Sequence, residues 1–258
     1  MTLSRHLMVL AAMHEEMAAL RNALAEYPYI EKEGSSLFKL NYRTYELFSR
    51  QVTLVQTGMG PVNAALSLLA VLDSMQSATR ELPVDAILLL GVGGALHTDL
   101  NIGDLVVAHR ILQHDSCSSL DFGAVHMVPG VLILNRDDAS NHDPRAVCDE
   151  GLFKIMMTSL PKAVPGTLIS GSEFVGTVAR KKELALLAED ACLVDMEGAG
   201  IAQLATRIGI PFIVAKTVAD RLKPEGTIES DFRSCLNFAA GNAAQALQAL
   251  LGSLNSGK

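Results

Sequence analysis

The segment from Leu193 to Gly200 constrains this chain most, because it places two carboxylates directly after an apolar run. It reads Leu-Val-Asp-Met-Glu-Gly-Ala-Gly, and the pattern then becomes helical. A carboxylate at the end of a buried strand is costly unless it has a partner. Ligands of open α/β sheets bind at the carboxyl ends of the strands. We therefore predict a strand, a polar site and a helix, with Asp195 and Glu197 in the site.

Two other segments repeat this design. The apolar run over 211–219 carries Lys216 and leads to Asp220, and the run over 7–12 is followed by Glu15 and Glu16. The carboxyl ends of neighbouring parallel strands meet at one edge of a sheet. The sequence thus predicts a cluster of acidic groups suited to acid–base chemistry on a polar small molecule.

The order of apolar and helical runs predicts an α/β fold in one domain over 1–258, with a frayed tail at 252–258. Strands that alternate with helices imply parallel pairing with flanking helices, and the antiparallel pair described next makes the expected central β-sheet mixed and twisted. An antiparallel meander is predicted where two runs are joined at Asn41 and Tyr42. The predicted strands lie near 6–12, 37–40, 43–49, 51–57, 85–91, 104–112, 167–170, 191–196 and 211–219. The predicted helices lie near 15–26, 61–76, 178–188, 197–208 and 229–253, and 116–150 is the least regular segment.

Composition excludes several classes of partner. The chain has 258 residues with a formal net charge of −7, and no basic stripe suits a nucleic-acid backbone. No run approaches the roughly 20 apolar residues of a membrane helix. The four cysteines show neither metal-ligand spacing nor the spacing of a disulfide framework. We therefore expect the protein to be located in the reducing cytoplasm. We predict no metal and no organic cofactor.

Three loop motifs are candidate binding elements. Gly91-Val92-Gly93-Gly94 follows an apolar strand and predicts a main-chain cradle for an anion or hydroxyl, although it lacks dinucleotide or nucleotide-triphosphate spacing. Gly58-Met59-Gly60 is as typical of a plain strand–helix connection as it is of a ligand-binding turn. Phe174 stands in a loop rich in Gly and Ser, where it either stacks on a planar base or anchors the loop. His114-Asp115 is compatible with two interpretations: a pair at the surface that closes a strand, or a pair that belongs to the site.

Taken together, these segments resemble the nucleoside phosphorylase/nucleosidase family, and within it the nucleosidases of 5′-methylthioadenosine and S-adenosylhomocysteine. The resemblance covers residues 7 to about 250. The matching segments are Ala12-Met13-His14-Glu15-Glu16, Gly58-Met59-Gly60, Gly91-Val92-Gly93-Gly94, Ile102-Gly103-Asp104, His114-Asp115, Ser170-Gly171, Val194 to Ala199 and Pro211 to Asp220.

The resemblance implies a role for each matching residue. Glu16 would activate the attacking water, and Asp220 would donate a proton toward N7 of adenine. Glu197, with Met196, would hold the ribose. Phe174 would stack on the purine, whose edge the main chain of Glu173 or Val175 would read. The 5′-alkylthio pocket would be lined by Met13, Met59 and Phe232, and further substrate-binding residues would be Gly91, Val92, Gly93 and Lys216. In a homodimer, Phe122 and Pro129 would cap the neighbouring subunit's site.

Three positions depart from the family pattern. Val92 stands where Ser or Thr is usual, Ala219 where Ser commonly precedes the acidic residue, and Lys216 where Arg is usual. The expected activity is hydrolysis of a 5′-modified adenosine. Phosphorolysis fits less well, because a phosphate dianion needs a basic cradle with hydroxyl donors. Hydrolysis of another nucleoside, such as futalosine, and non-catalytic nucleoside binding or storage remain as alternatives.

Overall fold

The computed structural model describes residues 5–33, 40–47, 50–76, 83–128, 131, 133–223, 225–229 and 232–256. The strands are β1 (His6–Ala11), β2 (Tyr29–Glu33), β3 (Asn41–Leu47), β4 (Arg50–Gln56), β5 (Ala86–Ala95), β6 (Leu105–Gln113), β7 (Cys117–Leu120), β8 (Gly123–His126), β9 (Arg145–Val147), β10 (Val164–Ser170), β11 (Ala191–Asp195), β12 (Phe212–Leu222) and β13 (Ile228–Glu229). The helices are α1 (His14–Ala23), α2 (Pro61–Gln76), α3 (Arg136–Ser140), α4 (Glu150–Ser159), α5 (Val178–Ala185), α6 (Gly198–Ile208) and α7 (Phe232–Ser256).

The predicted mixed central sheet is confirmed, and part of it closes on itself. β5 pairs in parallel with β1 and with β12, and β12 pairs antiparallel with β6. From β6 the sheet continues in parallel through β10 to β11, which returns antiparallel to β5. Five strands therefore form a ring, and β1, β4, β3 and β2 extend it on one side. Because β1, β5 and β12 run in the same direction, their carboxyl ends lie at one edge.

Aliphatic side chains fill the core, as the near-continuous apolar runs predict for strands covered on both faces. Every residue of β1 after His6 is buried, and so are Phe212 to Asp220 of β12. α2 and α6 pack closely together because Gly200 has no side chain, since a Cβ there would collide with the main chain of Pro61. Among the described helices, none is both long and apolar enough to cross a membrane.

The antiparallel meander is present, but its strands differ from the prediction. Asn41 and Tyr42 lie in β3 rather than in a turn, and β3 pairs with β2 as well as with β4. The sequence did not predict β2, because Tyr29 and Ile30 are exposed and the other three residues of the strand are charged. The predicted strand near 37–40 lies outside the described residues except for Leu40.

The segment 116–150 is more regular than the sequence indicates. It contains the hairpin of β7 and β8, the short helix α3, and β9, which pairs with β6. α4 follows at once and was also missed, although Asp149 is a recognisable N-cap whose side chain accepts from Leu152 N at 2.8 Å. At the other end of the chain, α7 continues to Ser256, beyond the predicted start of a frayed tail at Gly252.

Candidate active site

A cavity of about 350 Å³ opens where the carboxyl ends of β1, β5 and β12 meet the ends of β10 and β11. This size is within the range of small-molecule sites. Most of the residues that the sequence singled out line it together: Met13, Glu16, Met59, Val92, Gly93, Glu173, Phe174, Val175, Met196, Glu197 and Asp220. The cavity also contains Asp195, the other carboxylate of the opening motif.

Glu16 lies at the first turn of α1, and its carboxylate is held by three main-chain N–H groups. Oε2 accepts from Ala12 at 2.9 Å and from Met13 at 2.8 Å, and Oε1 accepts from Val92 at 2.9 Å. Burial raises the pKa of Glu16 above its ordinary value, although nearby Lys216 opposes the rise. A buried carboxylate with a raised pKa and a fixed orientation is suited to accept a proton.

Lys216 lies behind the cavity and joins two carboxylates. Its Nζ lies 3.0 Å from Oδ2 of Asp195 and 3.0 Å from Oε2 of Glu197. Burial alone would lower the pKa of Lys216, but the charges of Glu197, Asp195 and Glu16 outweigh that effect and raise it. The ammonium is therefore charged, and its charge is already neutralised by protein carboxylates.

The remaining oxygens of the two paired carboxylates are anchored to main chain. Oδ1 of Asp195 accepts from the N–H of Gly198 at the start of α6 at 3.2 Å, and Oε1 of Glu197 accepts from Gly60 N at 3.1 Å. Gly60 belongs to the turn before α2 and has a φ of 95°, which favours glycine. The turn that the sequence left ambiguous thus contributes to the site.

Gly91 is required because of Glu16 and Lys216. A Cβ at Gly91 would lie 2.5 Å from Oε1 of Glu16 and 3.1 Å from Nζ of Lys216. The predicted main-chain cradle needs correction, because Gly91, Gly93 and Gly94 lie inside β5 and pair with β12. At Gly93, a Cβ would collide with the side chain of Leu193. These glycines make space for side chains of other elements rather than forming a free loop.

Asp220 lies near the end of β12, and its Oδ1 accepts from Nζ of Lys181. Burial raises the pKa of Asp220 above its ordinary value, and Lys181 opposes the rise. Lys181 is fully buried on α5 and is not among the site residues predicted from the sequence. A signal was present, since Lys181 stands three residues before the buried Leu184 and therefore on the same helix face.

The other end of the cavity is formed by the loop after β10. Phe174 lines the cavity while leaving 66% of its surface exposed, and Val175 beside it is buried. Glu173 forms an ion pair with Arg180 of α5 at 2.9 Å. An exposed aromatic ring over a cavity is suited to stack on a planar base.

Apolar side chains line the cavity near Glu16. Val92 packs with Ala219 and Leu236, and Met13 packs against that cluster. Met59 lines the cavity and is 58% exposed, which leaves this side open to solvent. Such a lining is compatible with an apolar thioether substituent.

Some predicted residues lie elsewhere or are not described. Phe122 lies at the turn of the β7–β8 hairpin, where Arg136 sits over its ring at 4.5 Å, and it does not line the cavity. Pro129 and the side chain of Phe232 lie outside the described residues. His114 is buried and Asp115 accepts from Ser172 N at 2.7 Å, so this pair joins β6 to the loop after β10.

The chemistry of the cavity is that of carboxylates and one aromatic ring. Across the described ranges, no group of three or more His, Cys, Asp or Glu side chains is arranged to hold a metal ion. Two carboxylates with raised pKa values, Glu16 and Asp220, face one cavity that also holds the anchored Glu197. This arrangement can take a proton at one point and give one at another.

The fold and the site define a class, and comparison with known proteins identifies it. The family description "Phosphorylase superfamily" matches residues 6–252, so the chain belongs to this superfamily. It is similar to a 5′-methylthioadenosine/S-adenosylhomocysteine nucleosidase of Staphylococcus aureus, with 26% identity over 249 residues that cover 95% of this chain and 99% of the relative.

Solved structures of the superfamily share the fold over almost the whole chain. An S-adenosylhomocysteine nucleosidase from Streptococcus pyogenes, in complex with 5-methylthiotubericidin, aligns with a TM-score of 0.76 and 25% identity, covering 96% of this chain and 97% of that one. The futalosine hydrolase of Helicobacter pylori aligns with a TM-score of 0.76 and 23% identity over the same shares. The fold alone therefore does not select one nucleoside.

Proposed function

We propose that this protein hydrolyses the N-ribosidic bond of 5′-methylthioadenosine, S-adenosylhomocysteine or both, and releases adenine. The observation that carries the proposal is the convergence of Glu16, Glu197 and Asp220 on one cavity beside the ring of Phe174. The nucleosidases to which the chain is similar are named for these two substrates.

The proposed reaction uses each carboxylate at a different atom. Breaking the bond between C1′ and N9 sends its electron pair to the purine and leaves positive charge on the ribose. Asp220, when protonated, donates its proton to N7 of the departing purine, while Glu16 takes a proton from the water that adds to C1′. Glu197 accepts hydrogen bonds from ribose hydroxyls. One acid and one base on opposite sides of the bond parallel the inverting glycosidases.

The charges of the site favour water over phosphate as the attacking group. Lys216 is the cation nearest to Glu16, and Asp195 and Glu197 already neutralise it. The side chain at position 92 is apolar and offers no hydroxyl donor. A phosphate dianion near Glu16 would therefore meet carboxylates without a free basic partner.

The first experiment measures adenine release from 5′-methylthioadenosine in phosphate-free buffer and then with added phosphate. We expect release at the same rate in both, and a loss of about 100-fold or more in kcat for Asp220→Asn and for Glu16→Gln, as expected for removing a general acid or base. Glu15→Gln is the matched control, because Glu15 is an exposed neighbour on the same helix turn. Release that requires phosphate would establish a phosphorylase instead.

The choice of substrate is tested with a panel of nucleosides. We expect 5′-methylthioadenosine and S-adenosylhomocysteine to exceed futalosine, inosine and adenosine in kcat/KM, since Met13, Met59 and Val92 present apolar surface to the cavity. A preference for futalosine would assign the other hydrolase that shares this fold. Binding of a nucleoside without any release of base would indicate a binding or storage protein.

We also propose that the protein is a homodimer. Val62, Leu66 and Leu69 form an exposed apolar stripe along α2, with helical spacing on one face. Val147 and Leu134 are further exposed apolar residues, and exposed apolar patches mark association sites. The absence of Phe122 from its own cavity agrees with a role at the partner's site. Light scattering of the purified chain tests the dimer.

The proposed location is the cytoplasm. Cys117, Cys148 and Cys192 are free thiols in the described part of the chain, as expected in a reducing compartment. Fractionation of cells that produce the protein tests this assignment, and recovery with secreted proteins would contradict it.

A further inference from the structure

Lys181 is a buried cation next to the proposed acid, and the reaction scheme above does not use it. Its side chain has no exposed surface. Nζ donates to the carbonyl oxygen of Ala95 at 2.9 Å and to Oδ1 of Asp220. Burying an ammonium ion costs several kcal/mol unless a charged partner compensates it. In the described residues, Asp220 is the carboxylate that forms an ion pair with Lys181.

The residue before Asp220 explains why such a partner is needed. Ala219 is buried in the small apolar cluster with Val92 and Leu236, and it offers no hydroxyl to the carboxylate. A carboxylate at a strand end has rotational freedom about its side-chain bonds. The ion pair with Lys181, a residue that does not line the cavity, restricts that freedom at Oδ1, and the main chain of Ala95 also forms a hydrogen bond with the carboxylate.

Space for the pair comes from a third element. A Cβ at Gly94 would lie 2.6 Å from Nζ of Lys181, 3.0 Å from Oδ1 of Asp220 and 3.1 Å from Oδ2. The ion pair therefore joins Lys181 of α5 to Asp220 of β12, in the space that is free because Gly94 of β5 has no side chain. Three separate segments of chain meet at this one contact.

We propose that Lys181 is the positioning residue of Asp220, which takes over the orienting role of the hydroxyl that Ala219 lacks. This inference rests on the proposed function. With Oδ1 held by Lys181, Oδ2 is the oxygen that carries the proton toward N7. When that proton leaves, Asp220 becomes an anion next to Nζ of Lys181. The ion pair therefore stabilises the charge that develops on Asp220 as the purine departs.

The decisive variant is Lys181→Met, which keeps an unbranched side chain of nearly the same length without its charge. We expect kcat to fall by about 10- to 100-fold, as for a misoriented catalytic group. KM should change by less than about three-fold, because the lost interaction acts in the transition state. Lys182→Met is the matched control, since Lys182 is the exposed neighbour on α5.

A merely structural role would not move the pH profile. Asp220 must be protonated to act, so activity falls as pH rises through its pKa. Removing the opposing cation raises that pKa further, and the alkaline limb of kcat should move to higher pH by about one unit or more. In Lys181→Arg, which keeps the charge, the limb should stay in place. The double variant Lys181→Met/Ala219→Ser should recover part of kcat, because it restores an orienting hydroxyl.

Wild-type kcat and an unmoved alkaline limb in folded Lys181→Met would overturn the inference. Two further measurements cover the remaining cases. If Lys181→Met does not fold, the test compares Lys181→Gln with the double variant Lys181→Gln/Ala219→Ser. A kcat that does not recover in the double variant would contradict the inference. If the wild-type protein cleaves no nucleoside, the proposed function fails, but carbon NMR titration of Asp220 still tests the pair. A carboxyl pKa that is equal in wild type and Lys181→Gln would contradict it.

Discussion

The main-chain N–H of Val92 donates to Oε1 of Glu16 at 2.9 Å, although the two residues are 76 positions apart in the chain. The departure from the family pattern at this position therefore affects only the side chain, while the group that orients Glu16 remains. Val92 itself packs against Ala219 and Leu236.

The first prediction concerns Val92→Thr, which adds a hydroxyl to that apolar cluster. We expect the free energy of unfolding to fall by about 1–3 kcal/mol, because a buried hydroxyl without a partner is costly. The rate should remain within about three-fold of wild type, because the bond to Glu16 comes from the main chain. Urea denaturation and adenine release measure the two effects. A rate increase of ten-fold or more would show that the missing hydroxyl limits the enzyme.

The second prediction concerns the pH dependence of kcat/KM. Glu16 must be ionised to act as a base, and burial raises its pKa above 4.5, so activity should fall as pH drops through a value higher than 4.5. Asp220 must be protonated, and burial raises its pKa above 3.8, so activity should fall again as pH rises through that raised value. The profile should be bell-shaped. In Asp220→Asn the alkaline limb should disappear from the residual activity while the acid limb remains.

The third prediction concerns the ion pairs of Lys216. Lys216→Met leaves Asp195 and Glu197 as buried carboxylates without a cation, and we expect a loss of about 3–5 kcal/mol in the free energy of unfolding. Urea denaturation at neutral pH measures it. Because protonation of the two carboxylates relieves the penalty, the deficit should shrink as pH falls. A deficit that is independent of pH would assign the loss to packing instead.

The fourth prediction separates binding from stability at Phe174. Because the ring is largely exposed, Phe174→Ala should change the free energy of unfolding by no more than about 0.5 kcal/mol. Loss of stacking on the purine should weaken substrate binding by about 1–3 kcal/mol, seen as a higher KM. Leu186→Ala is the control, since Leu186 is 87% exposed and lies outside the cavity. An unchanged KM would show that Phe174 does not contact the base.

The fifth prediction concerns the exposed stripe on α2. Leu66→Glu combined with Leu69→Glu should convert the proposed dimer to a monomer, because two charges per subunit would be buried at the proposed interface. Activity should fall with dissociation if Phe122 completes the partner's site. Light scattering and adenine release follow the two effects, and Leu186→Glu is the surface control. A monomeric wild-type protein would refute the proposed interface.

The sequence predicted the parts of the site that follow simple strand-end patterns. Glu16, Glu197 and Asp220 each follow a long apolar run, and this arrangement is visible without a structure. Lys181 was missed because a lysine in a charged helix is normally exposed, and its burial depends on Gly94 of a strand far away in the chain. The spacing of Lys181 from Leu184 indicates its helix face, but its contact with β5 and β12 has no local signature.

The sequence predicted the class of the fold, but it did not predict that five strands of the sheet close into a ring. The predicted antiparallel meander beside parallel strands indicates a mixed sheet, yet the pairing of β12 with both β5 and β6 depends on long-range geometry. The glycines of β5 were interpreted as a loop because glycine usually marks a break in a strand. In the structure they remain in the strand, because side chains from other elements occupy the space that their own would take.

That arrangement has a consequence for redesigning the enzyme. Gly91 and Gly94 are matched to the charged groups opposite them, so even an added methyl group would displace Glu16 or Lys216 at Gly91, and Asp220 or Lys181 at Gly94. Val92, between them, lines the cavity and packs with Ala219 and Leu236. A saturation library over 91–94 should therefore retain active clones almost entirely with changes at position 92, which makes Val92 the point at which substrate preference can be evolved.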